Sequence, residues 1–383
     1  MKKNFITFGS PLITKNEIRE VVHSLKTGWL GTGPKVIKFE QEFSKYKKAK
    51  YSAAVNSCTA ALHLSLLTLN LKKNDEVITS ALTFCSTVNS IIHSGAKPVL
   101  VDVDYKTQNI DPSKIEDKIT SKTKAIIVVH FAGRPCAMDE IIKIVKKYNL
   151  FLIEDCAHAI ESKYKGISCG NFGDFGCFSF YATKNLVTGE GGMLISNSIK
   201  KISKAKILAL HGMSKDAWKR FSDKGFVHYD VENSGFKYNM MDLQAAIGIH
   251  QLRKINENHK KRERIWSVYN SNFKDLNIGI PSPVEKYITH AYHLYTLQIN
   301  KKNCGIDRDS FIEKMQRQNI GTGVHYRAIP EHTFYKKKFK WKIDNYPNAK
   351  KIGRETVSIP ISPKIKNNEL NKILKVIHNV FKS

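Results

Sequence analysis

Seven short runs rich in β-branched and other apolar residues, at 52–55, 76–80, 98–102, 125–130, 150–154, 176–180 and 192–196, punctuate the first half of the chain. Amphipathic stretches separate them, and that alternation demands a mainly parallel α/β sheet with helices packed on it. Met138 to Tyr148 shows the pattern clearly. Ile141, Ile142, Ile144 and Val145 share the stretch with Lys143, Lys146 and Lys147, as in a crossover helix with one buried face. Such a crossover lets its flanking strands lie parallel.

A chain of 383 residues exceeds what one core usually fills, so a second, smaller domain is expected. The segment after Met241, DLQAAIGIHQLRKINENHKKRERIWSVYN, starts apolar and turns highly charged, and reads as one long helix bridging the two. Beyond it, a strand-like HLYTLQI at 293–299, a helical FIEKMQRQ and a final ELNKILKVIHNVF suggest an α+β unit. The expected division is 1–250, with an N-terminal arm, and 251–383.

The net charge of +28 raises the question of a nucleic-acid or membrane partner. The lysines are spread along the chain, as at Lys45, Lys47, Lys48, Lys50, Lys146, Lys147, Lys200, Lys201 and Lys336 to Lys338, and read as solvated faces without an aromatic-interleaved basic stripe. A basic mouth that attracts an anionic substrate is the alternative. Seven cysteines without a CxxC pair give neither a disulfide framework nor zinc-ligand spacing, so a reduced compartment and no metal are expected. The start MKKNFITFGSPLITKNE lacks a signal-peptide core, and no 18-residue apolar run follows. A cytoplasmic location is the expectation, with neither nucleic acid nor membrane as partner.

Three segments carry candidate chemistry. LFLIEDCAHAIES is a buried strand ending in Glu154 and Asp155, and in open α/β sheets ligands bind beyond the carboxyl ends of strands. A plain surface acid is as good a reading of that segment alone; His158, three residues on, fits a structural role equally well. DFGCFSFYATKNLVTGEGGMLIS places Lys184 on a polar turn followed by Gly189, Gly191 and Gly192, where a partly desolvated amine could form a Schiff base. YSAAVNSCTAALHLSLLTLN is strand, small-residue turn and a helix beginning near Thr59, whose free amides and dipole suit a phosphate.

Together these segments resemble the DegT/DnrJ/StrS family of nucleotide-sugar aminotransferases, a branch of the fold-type I enzymes that use pyridoxal 5'-phosphate (PLP). The matching stretches run in family order: GWLGTGPKVIKFEQEF, NSCTAALHLSL, TFCSTVNSI, IEDCAHA, FSFYATKNLVTGEGG, HGMSKDAW, GFKYNMMDLQAAIG and GTGVHYRAIPEH. The resemblance implies a seven-stranded large domain and a small α+β domain. It implies that Lys184 holds PLP covalently and that Asp155 pairs with the pyridine nitrogen. Phe84 would stack on the ring, His158 lie near it, and Cys58, Thr59 and Ser179 hold the phosphate. Asn239 would complete that phosphate site from the second subunit of a homodimer with shared active sites. Cys58 stands where many relatives have glycine.

His325, Tyr326 and Arg327 would offer donors to a diphosphate or sugar hydroxyl, an ordinary packed Tyr and surface Arg being the alternative. HGMSKDAW and GFKYN look most like members that aminate carbon 4. The implied reaction moves an amino group from L-glutamate to a nucleotide-linked 4-keto sugar through the amine form of the cofactor, pyridoxamine 5'-phosphate (PMP), with Lys184 shuttling the proton. Competing readings are amination at carbon 3, a PLP-dependent sugar dehydratase, whose relatives commonly replace the lysine with histidine, and a non-catalytic PLP-binding regulator.

Overall fold

A computed structural model describes residues 5–213 and 230–382. The seven apolar runs form the seven strands of one sheet: β1 Tyr51–Val55, β2 Glu76–Ser80, β3 Lys97–Val101, β4 Thr123–Val129, β5 Phe151–Asp155, β6 Phe175–Ser179 and β7 Gly192–Ser196. Their spatial order is β1-β7-β6-β5-β4-β2-β3. Strands β6, β5, β4, β2 and β3 pair in parallel, whereas β7 runs antiparallel to both of its neighbours.

Side-chain alternation on these strands feeds two cores, as the period of two requires. Cys177 of β6 and Leu194 of β7 face the core formed with helix α3, Cys58–Thr68. Phe178, Met193 and Ile195 point the other way, toward Phe39 and Phe43 of α2, Pro34–Lys47, and Ala245 and Ile249 of α7, Asp242–Arg253. Helix α3 is apolar nearly all round and accordingly buried along most of its length. Asp242 accepts bonds from the backbone amides of Gly33, Lys35 and Val36, so the first residue of α7 satisfies the otherwise orphaned start of α2.

Adjacent residues at the end of β5 divide their work. Glu154 is wholly buried, and its carboxylate accepts the amides of Gly170, Phe172 and Gly173 and lies 3.0 Å from His130 Nε2. It ties the 170–173 turn beneath the sheet. Asp155 points to the opposite side, toward Cys58 and Thr87.

The stretch read as one bridging helix is two, because Lys254 separates α7 from α8, Ile255–Phe273. Each has its own core: Ala245, Ile249 and Leu252 pack under the large sheet, whereas Ile265, Trp266 and Tyr269 pack with the antiparallel pair β8, Tyr295–Gln298, and β9, Thr356–Ile359. Phe311 of α9, Arg308–Arg317, closes that second core, and so does Ile6 from the N-terminal arm. No helix among the described residues is long and apolar enough to cross a membrane.

Candidate active site

The parallel strands end at a cavity of about 360 Å³. Asp155 reaches it from the tip of β5, Ser179 from the tip of β6, and Lys184 from the loop that follows. Cys58 and Thr59 contribute the first turn of α3, and Phe84 is the cap residue of α4, Cys85–His93. His325 and Tyr326 close the cavity from the small-domain side.

Ser57 caps α3 by accepting the Ala60 amide on its hydroxyl and the Ala61 amide on its carbonyl, which leaves the Cys58 and Thr59 amides without an acceptor among the described residues. The turn approaches β7 closely: a Cβ on Gly192 would lie 2.4 Å from the Ser57 carbonyl carbon, so only glycine fits there. Phe84 is 54% exposed, which gives the cavity an aromatic face at its rim.

Asp155 is held on every side but the cavity. Its Oδ1 accepts the Ala157 amide at 3.1 Å and lies 3.9 Å from Cys58 Sγ, while Oδ2 accepts the Thr87 hydroxyl at 2.8 Å. Thr83 Oγ1 stands 2.9 Å behind Thr87 Oγ1. Burial pushes the Asp155 carboxyl above its ordinary range; the Ala157 amide, the Thr87 hydroxyl and the Lys184 charge pull the other way. A cation, or a protonated ring nitrogen, inserted against it would relieve that desolvation. Burial also lowers Lys184 from 10.5 to about 8, against the pull of Cys58 and Asp155, so a usable share of the amine is unprotonated near neutral pH.

The tautomer of His158 follows from its partners. The Ala132 amide can only donate, and it does so to Nδ1 at 3.3 Å, so the ring proton sits on Nε2, 3.0 Å from the Tyr326 hydroxyl. That hydroxyl accepts from His158 and keeps its own hydrogen for the cavity. Burial, reinforced by the Lys184 charge and His293, holds His158 well below its ordinary pKa and hence neutral. His293 lies against it with ring centroids 4.4 Å apart, fixed by a 2.9 Å contact to the side-chain oxygen of Asn185.

Two expected site residues do not line this cavity, one of which, Asn239, is expected to serve the site of a second copy. Asn239 bonds Thr32 through its amide at 2.7 Å and does not line this cavity. Arg327 lines a neighbouring groove instead, because the chain turns it away from Tyr326. Of HGMSKDAW, the residues from 214 onward lie outside the described residues. Thr83, Thr87 and His293 went unread in the sequence. The i, i+4 spacing of the two threonines in TFCSTV is the signal that could have paired them.

Lys184 with its lowered pKa, the buried Asp155 and the N-terminus of α3 thus meet in one cavity at the carboxyl edge of a mainly parallel sheet. A family model, the DegT/DnrJ/EryC1/StrS aminotransferase family, matches residues 11–378, and the chain belongs to that family. It is similar to the spore coat polysaccharide biosynthesis protein SpsC of Bacillus subtilis, with 44% identity over 382 residues, 100% of this chain and 98% of SpsC. The PLP form of Spr1654 from Streptococcus pneumoniae superposes with a TM-score of 0.91 at 31% identity, over 99% of both chains, and a PMP form matches equally well. Helicobacter pylori PseC, an aminotransferase involved in pseudoaminic acid biosynthesis, gives 0.92 at 26% identity, over 99% of this chain and 100% of its own. The α/β fold, the aminotransferase family and PLP as cofactor are thereby borne out.

Proposed function

We propose that the enzyme transfers an amino group from L-glutamate to carbon 4 of a nucleotide-linked keto sugar, giving an amino sugar nucleotide and 2-oxoglutarate. The observation that carries this reading is Lys184 and Asp155 lining one cavity, the amine lowered to about 8 and the carboxylate fixed by Ala157 and Thr87. The cofactor, when bound, supplies an electron sink for the carbon that loses its proton. Lys184 would hold it and then, once released, carry that proton from donor carbon to cofactor and back in the second half-reaction. Asp155 would face the ring nitrogen, Phe84 a ring face, and the Cys58 and Thr59 amides with the Ser179 hydroxyl the phosphate. His158 would stay neutral throughout and steer the Tyr326 hydroxyl toward an acceptor oxygen. Lys184 also disfavours the dehydratase alternative.

A homodimer is part of this reading. Ile18, Leu25, Trp29, Leu30 and Ile37, on α1, Lys15–Thr27, and in the 28–37 stretch, are each more than 40% exposed, an apolar band that a second copy would cover. Asn239, anchored to Thr32 beside that band, would then reach the other copy's phosphate site. The seven free thiols suit the cytoplasm.

The test is spectroscopic. Glutamate should bleach the visible band of PLP-loaded protein and one nucleotide 4-keto sugar should restore it; a band indifferent to glutamate would remove amino transfer. Restoration by 3-keto sugars alone would move the reaction to carbon 3.

A further inference from the structure

Lys184 lies in a loop, so the reach of its amine depends on what fixes the backbone on either side of it. On one side its own amide donates to the Tyr181 carbonyl at 2.9 Å. On the other stands Asn185, whose side chain is spent entirely on the protein. Its Nδ2 donates to Glu161 Oε2 and to the Ala291 carbonyl, both at 2.9 Å, and its Oδ1 lies 2.9 Å from His293 Nδ1.

Those partners fix the direction of the amide and the place of the proton on the histidine. A carbonyl and an ionised carboxylate only accept, so the amino end of Asn185 must face Ala291 and Glu161. The amide oxygen left for His293 cannot donate, so His293 carries its proton on Nδ1 and leaves Nε2 bare. His158, with its ring centroid 4.4 Å away, carries its proton on Nε2. Burial and the Lys184 charge hold both rings neutral, so no like-charge repulsion opposes their contact.

An ion pair anchors the arrangement. Glu161, 5% exposed, offers its other oxygen to Arg262 Nη2, and Arg262, on α8, is 1% exposed. Neither can swing away without leaving a buried charge unpaired. Arg262 Nε also reaches, at 3.4 Å, the Ala291 carbonyl that Asn185 uses. Ala291 in turn donates its amide to the Gly133 carbonyl, and His293 donates its amide to the carbonyl of Ala132, whose own amide sets the tautomer of His158. One side chain thus ties together the lysine loop, the two imidazoles and the helix that enters the second core.

We propose that Asn185 is a positioning residue for amino transfer: with Glu161 as its anchor it fixes the backbone that carries Lys184 and, through His293, the plane of His158 that aims the Tyr326 hydroxyl. The proposal rests on the role given to Lys184 above. A clamp serving stability alone would hold the loop from any nearby position, whereas these bonds converge on the residue next to the amine and on the ring that lies against His158.

Two variants of the PLP-loaded enzyme test it. Asn185→Ala should slow the glutamate bleaching of the visible band, counted per bound PLP at saturating glutamate, by about tenfold or more, because a slightly displaced proton carrier loses much of its rate. The glutamate concentration giving half the maximal rate should stay within about threefold of wild type. His293→Phe, which keeps a ring and removes its nitrogens, should slow bleaching several-fold. Nitrogen NMR spectra of protein labelled at histidine give a second readout. The signal missing from His293→Phe should report a neutral ring protonated on Nδ1 in wild type and a mixture of tautomers in Asn185→Ala. If Asn185→Ala does not fold, His293→Phe carries the rate test and wild type the spectral one. Wild-type rates per bound PLP in the folded variants, even with lowered stability, would leave Asn185 a clamp for the fold and overturn the proposal, as would a wild-type His293 protonated on Nε2. A wild-type band that glutamate leaves unchanged would strike the amino-transfer reading instead, and the histidine spectra do not depend on it.

Discussion

The cofactor cavity and the groove beside it treat charge in opposite ways. Inside the cavity, burial drives Lys184 and His158 toward their neutral forms, and Asp155 is surrounded by donors. In the groove, Arg327, Lys336, Lys340 and Lys342 stand exposed with no carboxylate within ion-pair distance among the described residues. Chemistry that needs a free amine is favoured by desolvation, whereas capture of an anion is favoured by exposed, uncompensated charge. One backbone step, Tyr326 to Arg327, separates the two regimes.

The contrast can be broken from either side. Replacing Lys184 with Ala should cut turnover by about 10³-fold or more, since nucleophile and proton carrier vanish together, yet leave residual PLP binding through Asp155 and the phosphate contacts. Retained activity in single-turnover assays would end the assignment. Asp155→Asn keeps the shape but loses the charge; a charge-assisted bond contributes roughly 1.5–3 kcal/mol, so PLP affinity should fall about 10- to 100-fold. Equilibrium dialysis reads that directly, and an unchanged affinity would mean that the carboxylate does not face the ring nitrogen.

Smaller effects sharpen the comparison. Thr87→Val removes one donor from Asp155 and should weaken PLP binding by about tenfold, with Thr87→Ser restoring it because the hydroxyl returns. A merely steric role for Thr87 would leave the serine variant impaired too. Salt separates the two regions: between about 0.05 and 0.5 M, binding of pyrophosphate, used as a probe of the groove's exposed cations, should drop several-fold, while the PLP band persists, because exposed charges are screened more than buried ones.

The smallest effect concerns stability. The folded pKa of Lys184 lies below its ordinary value, so the apo protein binds fewer protons than the unfolded chain between about 8 and 10.5. Below that window both states carry the proton and the penalty is at its full size; above it the penalty is gone. Lys184→Met should therefore raise the apo Tm at pH 7 by about 2 °C, with the gain shrinking as pH climbs toward 10. A gain that grows with pH would contradict a lowered lysine.

The sheet was legible because its signal is local: each apolar run lies within two residues of a strand, and carboxyl-edge placement put Asp155 and Lys184 near one another. The split at Lys254 was not, since both halves of that stretch carry helical periodicity and the break reflects which core each half joins. The direction of Arg327 also escaped the sequence, because a motif fixes neighbours along the chain and leaves side-chain direction to the turn. The tautomer of His158 depends on an amide 26 positions away, which no local pattern contains.

The paired acids of β5 have a consequence for how the molecule comes to be active. Because successive side chains leave a strand on opposite sides, a slip of β5 by one residue would bring either Glu154 or Cys156 to the place of Asp155, and correspondingly Ile153 or Asp155 to that of Glu154. In either direction the cavity loses its aspartate and the three amides of the 170–173 turn lose the glutamate that reaches them. Assembly of the sheet and competence for the cofactor thus share a single checkpoint, and a molecule that captures PLP certifies that its central strand has been threaded correctly.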